Sequence, residues 1–113
     1  DEYGNYEYGT GLAIAIPEGH IGLIFPRSSI CKLTLSLSNS VGIIDHGYLG
    51  EVKFKFKPTM KLPINTEEVK SMYELGDRIG QLIIVPFPKI EFEEVNELSD
   101  TERGKGGFGS SGK

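Results

Sequence analysis

Apolar and polar residues alternate along most of this chain with a period of two. Leu12, Ile14 and Ile16 are separated by Ala13 and Ala15, and Ile21, Leu23 and Phe25 by Gly22 and Ile24. Leu33, Leu35 and Leu37 alternate with Thr34, Ser36 and Ser38. Val52, Phe54 and Phe56 alternate with Lys53, Lys55 and Lys57, the cleanest half-exposed run in the chain. A period of two sends neighbouring side chains to opposite faces, so each run predicts a β-strand with one buried face. The first strand is expected over residues 10–17. Residues 79–85 are apolar on both faces except at Gln81, which predicts a central strand. Ile90 and Phe92, set between glutamates, predict one more strand at an edge.

Turn signals divide these runs at short intervals: Pro17-Glu18-Gly19, His46-Gly47, Pro58-Thr59, Leu75-Gly76-Asp77 and Pro86-Phe87-Pro88. A helical period extends over no more than a turn or two, near residues 66–73 and around residues 28–32. Short strands with regular turns predict an all-β domain, a jelly roll or distorted barrel. That class alone names no function.

The last eleven residues differ in kind. From Arg103 the chain reads Arg-Gly-Lys-Gly-Gly-Phe-Gly-Ser-Ser-Gly-Lys, with five glycines and one aromatic. Such a stretch cannot build a core and alone should be disordered. The expected organisation is a β-rich core over residues 1–102 and a flexible arm over residues 103–113. At 113 residues the chain suffices for one domain with a modest core, so its stability is expected to lean on oligomerisation.

Charge and composition narrow the partners. With 16 acidic against 12 basic residues the net charge is −4, which does not suit a nucleic-acid backbone or an anionic membrane. Cys31 is the single cysteine, and His20 and His46 lack cysteine partners, so neither a disulfide framework nor a transition-metal cluster is expected. No apolar run approaches membrane-spanning length, and a cytoplasmic setting is the default.

Candidate chemistry lies in the loops. All three arginines, Arg27, Arg78 and Arg103, stand beside polar or glycine neighbours, whereas the nine lysines take ordinary surface positions. Arginine confined to loops suits planar recognition of an oxyanion; three residues are also few enough to mean nothing. The tail from Gly107 to Lys113 imitates P-loop spacing, but a P-loop needs a strand before it and a helix after it. Its glycine N–H groups, hydroxyls and cations can still wrap a polyphosphate. Between the first two arginines, the run from Asn39 to Glu51 reads as a β-hairpin, with Asp45 before its turn and Tyr48 three residues on. Asp45 either opens that turn or acts as a base that orients water beside a phosphate.

Together these stretches resemble the trimeric deoxyuridine triphosphatases (dUTPases) along nearly the whole chain. Pro26-Arg27-Ser28-Ser29 is similar to the family's second motif, the Asn39 to Glu51 run to its third, Gly76 to Leu82 to its fourth, and Arg103 to Gly112 to its fifth. Gly80 replaces the usual alanine, a change expected to matter little. The resemblance implies hydrolysis of dUTP to dUMP and pyrophosphate by a homotrimer with shared sites. It implies that Asp45 orients the attacking water and holds the sugar 3′-hydroxyl, and that Tyr48 lies against the deoxyribose. Asn39 and the backbone at Gly42 and Ile44 would read the uracil edge. Arg27, Ser28, Ser29 and Gln81 would contact phosphates. Arg103, Gly109, Ser110 and Ser111 would grip the far phosphates, with Phe108 stacked on the base. Mg²⁺ would be held by the triphosphate and water, with no direct protein ligand.

The family's first motif, a strand of the Ala-Gly-Tyr-Asp-Leu type, has no counterpart here, and about thirty residues of such a domain are expected ahead of residue 1. Two other readings are less well matched. A dCTP deaminase of the same fold needs a glutamate where Lys55 stands. A nucleotide-binding regulator acting through a protein partner would keep the pocket.

Overall fold

A computed structural model describes residues 1–59, 72–101 and 103–108. Its strands are β1 (Tyr6–Ala13), β2 (His20–Pro26), β3 (Leu35–Leu37), β4 (Gly42–Ile44), β5 (Glu51–Pro58) and β6 (Gly80–Pro86), with one 3₁₀ turn over Ser28–Lys32. The all-β expectation holds, as does the short helical turn after Arg27. The other expected helical turn falls outside the described residues except at 72 and 73. Among the described residues no helix is long and apolar enough to cross a membrane.

Two antiparallel three-stranded sheets face each other, ordered β1-β5-β3 and β4-β2-β6. In β3 and β5 the alternation read from the sequence decides which side chains meet between the sheets, whereas β2 buries Gly22 and Ile24 in place of the expected Ile21, Leu23 and Phe25. β5 turns Val52, Phe54 and Phe56 inward and leaves Lys53, Lys55 and Lys57 in solvent. Leu35 and Leu37 of β3, Ile24 of β2 and Ile44 of β4 complete the core with Ile16 and Tyr73. Phe56 is wholly buried. Its ring lies 5.3 Å from that of Tyr73 and 5.8 Å from that of Tyr8, edge-on to the latter. Burying such a ring is worth roughly 1.5–3 kcal/mol, with about 0.5–1.5 kcal/mol more for each well-placed aromatic pair. Tyr8 donates its hydroxyl to the Tyr73 carbonyl at 2.9 Å, and burial pushes the phenol pKa of both tyrosines up.

Several sequence expectations need correcting. The first strand is not residues 10–17: it begins at Tyr6, because Tyr6 and Tyr8 reach the core while Glu7 pairs with Lys53 at 3.0 Å. A bulge between Gly9 and Ala13 interrupts its ladder, which resumes at Ala13 opposite Glu51, and Ile14 and Ile16 then pack inward beyond the strand. The Asn39 to Glu51 run is not a hairpin. β4 pairs with β2 and β5 with β1 and β3, so the connection crosses from one sheet to the other. Among the described residues β6 is an edge strand, with Ile83 and Ile84 nearly half exposed, rather than a central one. Ile90 and Phe92 form no strand; they find no ladder partner among the described residues and stand in solvent. The radius of gyration is 19.6 Å, against about 13 Å for a compact domain of this length, as expected of a chain with a long unpacked extension.

Gly80 is not a minor exchange either. A Cβ there would lie 2.6 Å from Phe54 Cζ, closer still to Cε2, and 2.9 Å from the Phe25 carbonyl oxygen, so Phe54 occupies the space that an alanine methyl needs. Gly80→Ala is therefore expected to destabilise the fold by about 1–3 kcal/mol through overpacking. Denaturant unfolding of the variant checks this, and an unchanged midpoint would show that the Phe54 ring moves aside freely.

Candidate active site

Asp45 directly follows β4, at the start of a tight turn. The Tyr48 amide donates to the Asp45 carbonyl at 3.1 Å, and Gly47 takes φ +95°, a left-handed conformation that suits glycine. Tyr48 then folds back, its hydroxyl donating to the Glu51 carbonyl at 2.9 Å. The ring lies over Gly50 so closely that a Cβ there would be 2.5 Å from the phenol oxygen and 2.7 Å from Cζ. At the other end of β4, a Cβ on Gly42 would lie 2.5 Å from Ile24 Cδ1, so glycine lets β4 close onto β2. Just before it, Ser40 adopts φ +63° and its amide donates to the Leu37 carbonyl, turning Asn39 toward the same space.

These elements enclose a pocket of about 310 Å³ that brings together Asn39, Gly42, Ile44, Asp45 and Tyr48 over Ile24. One carboxylate, one amide, exposed backbone and an aromatic wall converge there, the equipment for a flat polar ring and a sugar. Glu51, Lys53 and Lys55 complete the lining and were missed by the sequence reading, which placed the lysines on ordinary surface. The signal was available: the alternation of β5 puts both on one side, directly after the turn. Lys53 is held by the Glu7 carboxylate, which raises the ammonium pKa and is itself lowered by the same hydrogen bond. The deaminase reading fails here, since Lys55 lines the pocket where that chemistry needs a carboxylate.

A second cluster forms elsewhere. Arg27, Ser28 and Gln81 line a shallow hollow with Phe25, Ile30 and Ile83. Gln81 donates to the Pro26 carbonyl at 3.0 Å, and Arg27 reaches the Arg78 carbonyl at 3.4 Å, so the first two arginine loops meet. Ser29 lies on the 3₁₀ turn and lines neither hollow. The two clusters share no lining residue: Ile24 lines the first with Ile43 and Ile44 of β4, while Phe25 and its register partner Gln81 line the second. A single chain thus does not join them. Arg103 bonds the Gly106 carbonyl at 2.6 Å and Phe108 is fully exposed, both apart from either hollow. Gly109, Ser110 and Ser111 lie outside the described residues.

No group of three or more His, Cys, Asp or Glu side chains among the described residues could hold a metal ion. The donors fit instead a hard cation carried by a ligand's own oxygens, with one or two carboxylates nearby.

The dUTPase family model matches residues 3–112. The chain belongs to the dUTPase family. It is 44% identical over 104 residues to a deoxyuridine 5′-triphosphate nucleotidohydrolase of a Hydrogenobaculum species, covering 91% of this chain and 67% of that one. The chain spans about two-thirds of the length of the curated relatives it matches. A dUTPase variant of a Staphylococcus bacteriophage, 80alpha, solved with dUpNHpp, superposes with a TM-score of 0.76 at 30% identity, covering 96% of this chain and 76% of that one. A second, from phage phi11, described with a structural Mg(II) ion, gives a TM-score of 0.70 at 25% identity, covering 85% and 74%.

Within this dUTPase fold, Gly50 gives Tyr48 its place. Gly50→Ala should push the Tyr48 ring off its seat and break its hydroxyl contact with Glu51. Crystallography of the variant, or loss of nucleotide affinity on the order of tenfold for one displaced ring, is the check; an unmoved ring at full affinity would refute it.

Proposed function

We propose that the chain hydrolyses dUTP to dUMP and pyrophosphate as a homotrimer in which each site is completed by neighbouring subunits. The observation that carries this reading is the pocket that sets Asp45 beside Tyr48 and Asn39, while Arg27, Ser28 and Gln81 stand in a separate hollow that shares none of its residues. Asn39 and the backbone at Gly42 and Ile44 read the uracil edge. Tyr48 lies against the sugar and leaves no room for a 2′-hydroxyl. The phosphates then leave the pocket and meet Arg27, Ser28, Ser29 and Gln81 of an adjoining subunit.

Association has a physical motive in the outward face of β4-β2-β6. Ile43 and Ile83 are 63% and 45% exposed there, in register with Leu23, and Ile21 lies opposite Val85. An apolar sheet face of this kind favours burial against another subunit.

Asp45 accepts a hydrogen bond from water and directs its oxygen at the α-phosphorus, opposite the bridging oxygen to the β-phosphorus. The new P–O bond forms as the bridge breaks, pyrophosphate carries away the bonding pair, and the water proton passes to the carboxylate. Mg²⁺, borne by the triphosphate, supplies charge neutralisation. The arm of residues 103–113 closes over the substrate, with Phe108 on the base and Arg103, Gly109, Ser110 and Ser111 on the far phosphates. Closure excludes bulk water and ties catalysis to recognition.

Phosphate-release assays with dUTP, dCTP and UTP test the reading, with dUTP alone expected to turn over rapidly. Asp45→Asn should bind dUpNHpp yet lose on the order of 10²-fold in kcat, because an amide cannot take the proton. Near-normal turnover would make Asp45 a turn residue only. Ending the chain after Glu102 should leave fold and assembly intact and abolish efficient hydrolysis. Ordering glycines costs roughly 1–2 kcal/mol each, so the arm should gain protease protection only with a triphosphate bound, not with dUMP.

A further inference from the structure

The turn carrying Asp45 is shaped locally but tied to the domain from a distance. Its two described internal bonds, Tyr48 amide to Asp45 carbonyl and Tyr48 hydroxyl to Glu51 carbonyl, both fall within residues 45–51. They set the curvature of the loop, whose ends are held by β4, by β5 and by the Gly11 amide on the Glu51 carboxylate at 2.9 Å. Next to Asp45 a further long-range bond ties the tip of the turn: His46 Nδ1 lies 2.9 Å from the carbonyl oxygen of Ile16, a partly buried contact across 30 residues. A carbonyl can only accept, so Nδ1 carries the proton and donates. Ile16 is 3% exposed and belongs to the core, so the imidazole anchors the turn to a core residue.

Attitude matters because Asp45 borders two spaces. In front is the pocket with Asn39 and Tyr48. Behind is a separate hollow of about 200 Å³, lined by Asp45, His46, His20, Gly19, Ile21 and Phe87. A carboxylate needs little rotation of its backbone to turn from one to the other. We infer that His46 is a positioning residue: its Nδ1–H bond to Ile16 holds the peptide next to Asp45 so that the carboxylate faces the front pocket. This rests on the reading of Asp45 as the water-orienting base. His20 offers the natural contrast, because its Nδ1 bonds the Glu18 carbonyl two residues away and ties nothing to the turn.

His46→Ala in the full chain should lower kcat for dUTP by on the order of 10- to 100-fold, the usual effect of misplacing a reacting group by about an ångström. KM should change by much less. His46→Asn should restore most of the rate, since its amide nitrogen can donate from nearly the position of Nδ1. His20→Ala should leave kcat unchanged. Nitrogen-15 NMR of the imidazole should show the Nδ1–H tautomer for His46, and hydrogen exchange at the Tyr48 amide should quicken in His46→Ala. Wild-type kcat in His46→Ala, failure of asparagine to restore the rate, an equal loss in His20→Ala, or an unprotonated Nδ1 would each overturn the inference while Asp45 keeps its role. Absence of dUTP hydrolysis by the unaltered protein would instead overturn the reading of Asp45, and the role of His46 with it.

Discussion

Strand β2 is bonded along both edges, to β4 and to β6, and its side chains alternate strictly between two environments. Ile24 enters the core and lines the Asp45 pocket, and Phe25, its neighbour, leaves through the opposite face toward Arg27 and Gln81. A pleated strand cannot send adjacent side chains the same way. That constraint governs the rest of the molecule. It keeps the Asp45 pocket apart from the Arg27 hollow, and it leaves Leu23, Ile43 and Ile83 on a face that the described residues do not fully cover.

The opposite sheet does different work. β5 drives Val52, Phe54 and Phe56 into the core, while Tyr8 and Tyr73 close round Phe56. Its first residue, Glu51, accepts the Tyr48 hydroxyl on its carbonyl and the Gly11 amide on its carboxylate at 2.9 Å. The β1 bulge and the wall of the pocket are therefore fastened at one residue. The geometry of the pocket is inherited from sheet packing, because the turn bearing Asp45 spans the gap between the two sheets.

Much of this was legible in the sequence where a single face decides the pattern. β3 and β5 follow their alternation closely, while β2 buries Gly22 and Ile24 and turns the expected Ile21, Leu23 and Phe25 the other way; Asp45, Tyr48 and Asn39 line one pocket, as the family resemblance implies. The misreadings share a cause, since they turn on partners that lie far away in sequence. Nothing between Asn39 and Glu51 says that β4 and β5 join different sheets. β6 is apolar on both faces, as a central strand is, but one of those faces is turned outward at a sheet edge. The alternation of Ile90 and Phe92 has no ladder to enter within the described chain. Gly80 resembles a trivial exchange until Phe54 is seen against it. Lys53 and Lys55 were passed over because charge on a strand reads as solvent, although that solvent face borders the pocket.

The proposed division of the site between the Asp45 pocket and the Arg27 hollow changes what a defective chain means. In the proposed trimer, a subunit lacking Asp45 still offers an intact Arg27 face, and one lacking Arg27 still offers an intact Asp45 pocket. Co-assembled, two chains that are each inactive alone would build some sites from two sound halves. The loss caused by either change would then be recessive in mixture, and function would be inherited by the assembly rather than by the polypeptide.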